Sequence, residues 1–201
     1  MEKKLGFIGA GNMAKAMMGG ILKNEILLPE DVIASDLYQP GLERTKEELG
    51  IAVTTDNQEV VKKAEVVVLS VKPQFYAAVI EEIREVVSEE QIIVTIAPGQ
   101  TLEHLQELFG KPVKIVRTMP NTPALVGEGI TGVCKNELVT EEELSYICKI
   151  FSGFGKAEVL SEKLMDVCCV CKRKFSGICL FIHRGDGRCG CRRWNAKSAG
   201  I

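Results

Sequence analysis

The chain has 201 residues, enough for one ordinary domain or for one domain and part of another. With 25 basic and 27 acidic residues, a net charge of −2 and 46% hydrophobic content, it has the balance of a globular protein in water. This excludes an overall basic nucleic-acid binder, and no apolar run is long enough to cross a membrane. The start shows no basic-then-apolar leader, so a cytoplasmic protein without membrane or nucleic-acid partners is expected.

In chain order, Leu5-Gly6-Phe7-Ile8 is a short apolar run that reads as a buried strand, and an apolar helical pattern follows to about Ile26. Between them lies Gly9-Ala10-Gly11-Asn12-Met13-Ala14, the pattern G-x-G-x-x-A in its required strand-to-helix setting. Gly9 permits the tight turn, Gly11 lets the backbone approach a pyrophosphate, and Ala14 lets helix and strand pack closely. The unpaired amides at the helix start, at the positive end of its dipole, then face phosphate groups.

Asp31 to Asp36 reads as the second strand. Asp36 stands about 25 residues after Gly11, near the usual place of an acid that bonds an adenosine ribose hydroxyl. The alternative for Asp36 is a turn or helix-capping role. No Arg follows directly to hold a 2′-phosphate, although Arg44 and Lys46 are near, so NADH and NADPH both stay open as cofactors.

Pro40 to Leu49 is a charged amphipathic helix closed by Gly50; Ile51 to Val53 is a short strand and Asn57 to Lys63 a short helix. Glu65 to Ser70 has the near-continuous apolar character of a strand buried on both faces. Val71-Lys72-Pro73 follows, with Pro73 suited to the first turn of a helix running to about Val87. Gln91 to Ile96 is a further strand ended by Ala97-Pro98-Gly99, Thr101 is a helix N-cap, and Val113 to Arg117 is a sixth strand. Gly127 to Val133 is another strand. Thr140-Glu141-Glu142-Glu143 is a capping box opening a helix to about Phe151, and Lys156 to Leu160 is a last strand.

This alternation implies an α/β fold of the Rossmann type, a doubly wound, mostly parallel sheet. Ligands of such sheets sit outside the C-terminal strand ends. That places the loops at Gly9–Met13, Ser70–Pro73 and Ile96–Pro98 together.

The stretch Arg117-Thr118-Met119-Pro120-Asn121-Thr122-Pro123-Ala124, followed by Gly127, Gly129 and Thr131, is a stiff loop rich in hydrogen-bonding groups. With Gly6 to Ala14 and Ser70-Val71-Lys72-Pro73, it resembles pyrroline-5-carboxylate reductase over roughly Lys3 to Asp166. Ala97-Pro98-Gly99 departs slightly, because the family has two small residues before that glycine.

The resemblance implies hydride transfer from NADPH or NADH to the C=N carbon of Δ1-pyrroline-5-carboxylate, giving L-proline in the last step of proline biosynthesis. By the same resemblance Ile8, Gly9, Ala10, Gly11, Asn12 and Met13 bind pyrophosphate, while Ser35 and Asp36 lie at the adenosine ribose. Asn57, Ser70, Val71, Lys72, Pro73, Ile96, Ala97 and Pro98 line the rest of the cofactor. Met119, Pro120, Asn121, Thr122 and Pro123 close the nicotinamide and substrate end. For Lys72 the alternative is a solvated charge at a helix start, and for Pro120 and Pro123 it is loop stiffening alone. Rival readings are another imine or 3-hydroxyacid reductase and a stand-alone NAD(P)-binding module.

Composition changes near residue 167. Val167 to Ile201 holds eight basic residues and one acid, hence +7 against −9 for the remainder, and six of the eight cysteines. The expected domains are residues 1–160, a dinucleotide-binding domain, and 161–201, a linker and an aberrant tail. The family's helical second domain, with its Ser-Gly-Ser-Ser-Pro-Ala-Tyr substrate segment and its dimer interface, has no counterpart after Asp166. No catalytic residue is therefore assigned, and the family's homo-oligomer contact is expected to be lost.

Read one base later, codons permitted by Lys172 to Ala196 spell that missing segment in order. This points to a frameshift near codons 166 to 171 and to a tail that is poorly ordered or loosely helical. Two other readings of the tail stand beside it. Cys168-x-x-Cys171 and Cys189-x-Cys191 around His183 approach zinc-ribbon spacing, with the second pair one residue short. The basic charge suits a nucleic-acid arm. The frameshift reading assigns no metal.

Overall fold

The computed structural model describes residues 3–121, 124 and 129–165, and the backbone of 179–183 and 189–193. Thr122, Pro123 and the cysteine pair Cys168/Cys171 lie outside the described residues.

Six parallel strands carry the fold: β1 (Lys3–Ile8), β2 (Val32–Ser35), β3 (Ala52–Thr54), β4 (Ala64–Leu69), β5 (Ile92–Thr95) and β6 (Lys114–Met119). Their spatial order is β3-β2-β1-β4-β5-β6. The chain thus winds outward from β1 in one direction, then crosses back to β4 and winds the other way. The crevice at that reversal, between β1 and β4, is where such sheets bind ligands. Two more strands extend the sheet: β7 (Gly129–Lys135), antiparallel to β6, and β8 (Gly155–Val159), parallel to β7. The sheet is mostly parallel, as its alternating elements imply.

Side chains alternate across each strand, and the helices divide accordingly. On one face Leu5, Phe7, Val66, Val68, Val94 and Val116 pack against α1 (Asn12–Lys23) and α6 (Glu141–Phe151). On the other, Ile8, Val67, Leu69, Ile93 and Ile115 pack against α3 (Asn57–Lys63), α4 (Tyr76–Ile83) and α5 (Leu102–Phe109). The remaining helix, α2 (Gln39–Leu49), adds Leu42 to the first face. Coverage on both sides explains why β4 is apolar almost throughout.

The local signals act as read. Gly50 ends α2 in the left-handed conformation, with φ of 68°. The Thr101 hydroxyl accepts the His104 amide, and Thr140 with Glu143 forms the reciprocal capping box of α6. The Pro73 helix differs: a 3₁₀ turn over Pro73–Phe75 precedes α4, and α4 ends at Ile83 instead of near Val87. There the Val86 amide closes a tight turn onto the Ile83 carbonyl before the chain enters β5. The first helix likewise stops at Lys23, short of Ile26.

In the tail, β9 (Cys179–His183) and β10 (Cys189–Arg193) pair antiparallel, with Cys189 opposite His183 and Arg193 opposite Cys179. The strand pair replaces the loosely helical form expected at these two segments. Cys-Leu-Phe-Ile-His is a compact run of strand-forming residues, and a Gly-Asp-Gly sequence stands between the two strands.

Candidate functional site

Backbone register aligns the last row of the sheet. Ser35, Ile8, Leu69, Thr95 and Arg117 are successive partners across β2-β1-β4-β5-β6. The loops beginning at Gly9, Ser70 and Ile96 leave from one edge, and the Met119–Asn121 stretch continues β6 beyond that row. Topology thus brings together the loops that sequence spacing placed at a common site.

The first loop is tightly built. Gly9 has φ of +97°, and a Cβ there would stand 2.9 Å from the Ser70 carbonyl oxygen. Only glycine meets both demands without strain. Its amide donates to the Ser35 carbonyl at 2.8 Å. The Ser70 hydroxyl donates toward the carbonyls of Ile8 and Gly9, at 3.0 and 2.6 Å, tying the end of β4 to the loop. By contrast, a Cβ on Gly11 would meet nothing within 4 Å. Among the described residues, the space beside Gly11 is open, no side chain caps α1 at this end, and its first turn holds no acid. A ligand with negative charge fits that opening, because it would satisfy the helix-start amides and their dipole.

Asp36 makes the backbone contacts of a turn residue. One carboxylate oxygen accepts the Ala10 amide at 2.8 Å and the other accepts the Tyr38 amide at 3.0 Å. Of the loop amides expected to face phosphates, Ala10's is therefore already engaged. Ser35 is fully buried; its hydroxyl donates to Asn57 Oδ1 at 2.7 Å, and Asn57 Nδ2 donates to Glu82 Oε2 at 2.8 Å. These residues stand on the β2 side of the crevice, joined to one another. Beyond Asp36, Leu37 and Tyr38 are exposed. Lys72, Pro73 and Pro98 lie on the solvent side of the crevice, whereas Ala97, Met119 and Pro120 are buried. Asn121 accepts the Ile130 amide at 2.9 Å through its side-chain oxygen, pinning its loop to β7.

Sequence reasoning missed a row of hydroxyls under the far end of the crevice. The Tyr76 phenol lies 2.6 Å from the Leu69 carbonyl, to which it donates, and 2.8 Å from Thr95 Oγ1. Thr118 donates to the Thr95 carbonyl at 2.8 Å. Burial pushes the Tyr76 phenol up to about 12, outweighing hydrogen bonds with Thr95 and the Ala97 and Ile96 backbone that act to lower it. A buried Tyr needs a polar partner, so a Tyr starting a helix after a buried strand was the available signal.

These features define a Rossmann-type α/β fold with an open helix start at the strand ends. Residues 4–99 match a family described as NADP oxidoreductase, coenzyme F420-dependent. At the sequence level, the chain is similar to pyrroline-5-carboxylate reductases. It is 39% identical over 168 residues to pyrroline-5-carboxylate reductase of Escherichia coli (strain K12), covering 82% of this chain and 61% of that protein. The fold superimposes on a pyrroline-5-carboxylate reductase from Coxiella burnetii with a TM-score of 0.81 and 31% identity, covering 86% of this chain and 64% of that one. The Plasmodium falciparum pyrroline carboxylate reductase, solved with NADP bound, gives a TM-score of 0.77 at 30% identity, covering 86% and 63%. The chain spans about three fifths of the length of the curated relatives it matches.

Proposed function

We propose that the chain binds NADPH or NADH in this crevice and that its activity, where expressed, is reduction of Δ1-pyrroline-5-carboxylate to L-proline. The observation that carries the reading is the uncapped start of α1 beside Gly11, open where a Cβ would meet nothing within 4 Å. The bound cofactor supplies a hydride for the imine carbon. Gly9 to Met13 hold the pyrophosphate, and Ser35, Asp36 and Asn57 stand at the adenosine ribose. Ser70 to Pro73 and Ile96 to Pro98 line the remainder, with Met119 to Pro123 at the ring and substrate end. A protonated imine is already a good electrophile, so orientation and exclusion of water supply much of the rate. Calorimetric titration with NADH and NADPH tests the binding. Uptake of either supports it, and a folded sample that takes up neither overturns it.

A second reading, a binding module without turnover, is favoured by the change in composition from residue 167, where eight basic residues and six cysteines gather. We infer that residues 167–201 are the product of a frameshift, so that the substrate-binding and dimer-forming segments of the family are replaced. The chain is then a monomer by sedimentation and turns over pyrroline-5-carboxylate weakly or not at all. Sequencing the gene across codons 160 to 201 decides the origin of the tail; a neighbouring frame without a family-like helix removes the frameshift. A cytoplasmic location accompanies this reading, and fractionation of expressing cells checks it.

A further inference from the structure

After β8 the chain returns to the sheet as a strap. The Leu160 amide donates to the Val133 carbonyl at 2.8 Å, and Met165 is fully buried against Gly132. Between them, one oxygen of Glu162 accepts two donors: Arg117 Nη1 at 3.0 Å and the Leu102 amide at 2.8 Å. Arg117 is wholly buried on β6, and Leu102 is the first residue of α5. A single carboxylate therefore joins the strap, a buried cation in the last row of the sheet, and a helix start. The two elements it joins are those that present the Ile96–Gly99 and Met119–Asn121 loops. Both loops border the crevice at the end away from Asp36.

We propose that Glu162, acting through Arg117 and α5, is a positioning residue for the nicotinamide end of a bound dinucleotide. The adenosine and pyrophosphate end is held by β1, β2 and α1, which Glu162 does not touch. Removing the carboxylate leaves a buried guanidinium without that partner and frees the first amide of α5. Adjustment at β6 and α5 then moves the two loops, while Gly9 to Met13 stay in place. The inference rests on the dinucleotide reading of the crevice and adds a division of labour within it.

The test compares Glu162→Ala and the milder Glu162→Gln with the unaltered 201-residue chain. Each is titrated with NADH and NADPH, and with ADP-ribose and its 2′-phosphate, which keep the adenosine half and lack the ring. The expected result is a fragment affinity that stays within about twofold while dinucleotide affinity falls about fivefold to tenfold in E162A and less in E162Q. The fluorescence of the bound reduced ring should shift toward that of free cofactor. A loss of fold would weaken fragment and dinucleotide together. The proposal is overturned by parallel losses, by no loss in either variant, or by an unaltered chain that binds dinucleotide no better than fragment. An unaltered chain that binds neither dinucleotide nor fragment instead overturns the reading of the crevice itself.

Discussion

The Asp36 carboxylate is held 2.8 Å from the Ala10 amide, 26 residues away along the chain. An acid whose spacing suggests contact with a sugar fastens the Gly9–Met13 loop to the turn after β2. It also accepts the Tyr38 amide, so that one side chain sets two loops. Contact with a ribose would have to share these oxygens.

Asp36→Ala removes both acceptors at once. Charge-assisted hydrogen bonds of this kind contribute about 1.5–3 kcal/mol when well enclosed, and Asp36 is only half-buried, so a loss of about 1–2 kcal/mol is expected. Dinucleotide affinity should fall with it because the Gly9–Gly11 turn loosens. Asp36→Asn retains one acceptor and should fall between. Urea denaturation and cofactor titration of the three proteins measure both effects.

Gly9 and Gly11 should separate fold from ligand binding. Gly9→Ala places a Cβ 2.9 Å from the Ser70 carbonyl oxygen at φ of +97° and should destabilise the domain by about 1–3 kcal/mol. Gly11→Ala enters open space, and its stability should change by no more than about 0.5 kcal/mol. Its methyl group nevertheless occupies the approach to the α1 amides, so dinucleotide affinity should drop at unchanged melting temperature. Scanning calorimetry with and without cofactor distinguishes the two.

Tyr76 should make stability fall at high pH. Its phenol titrates at about 12 in the fold against 10.0 for an ordinary tyrosine. Between these values the folded chain retains a proton that the unfolded chain has released, so stability declines as pH rises through 10 toward 12. Tyr76→Phe removes this dependence and costs hydrogen bonds at neutral pH. Urea midpoints across that range, with tyrosinate absorbance as a direct readout, provide the measurement.

At the acid end, burial acts to raise the Glu143 carboxyl, but Lys114 and the Thr140 cap outweigh it and hold it below 4.5. A depressed carboxyl contributes fully above its unfolded value and loses that contribution as pH falls through its folded value. The Lys114–Glu143 pair, 2.8 Å apart, should therefore stabilise the chain at neutral pH and weaken below about pH 4.5. Lys114 is itself raised, chiefly by its hydrogen bond to Glu143, so its contribution persists up to 10.5 and is lost as pH rises through the folded value. Glu143→Gln should flatten the acid limb of a melting-temperature profile.

Much of this protein was legible because the relevant physics is local. A glycine turn between an apolar strand and an amphipathic helix is encoded in consecutive residues, as at Gly9 to Ala14. So are the caps at Thr101 and Thr140 and the doubly covered β4. Alternation of these elements was enough to require a parallel sheet and hence a common edge for three loops. The extent of α4 was less legible, since the turn at Val86 depends on where the chain must enter β5.

What the linear order could not reveal were the polar choices made across the sheet. Asp36 could bond a ribose or a backbone amide equally well by spacing, and only the return of Ala10 to its side brought the amide contact about. Tyr76, Thr95 and Thr118 meet because β4, β5 and β6 are neighbours in space, and Glu162 reaches Arg117 from 45 residues away. A buried polar group accepts whichever partner tertiary packing brings within hydrogen-bond distance. Backbone conformation is set by each residue and its nearest neighbours, so the sequence alone could determine the turn and the sheet.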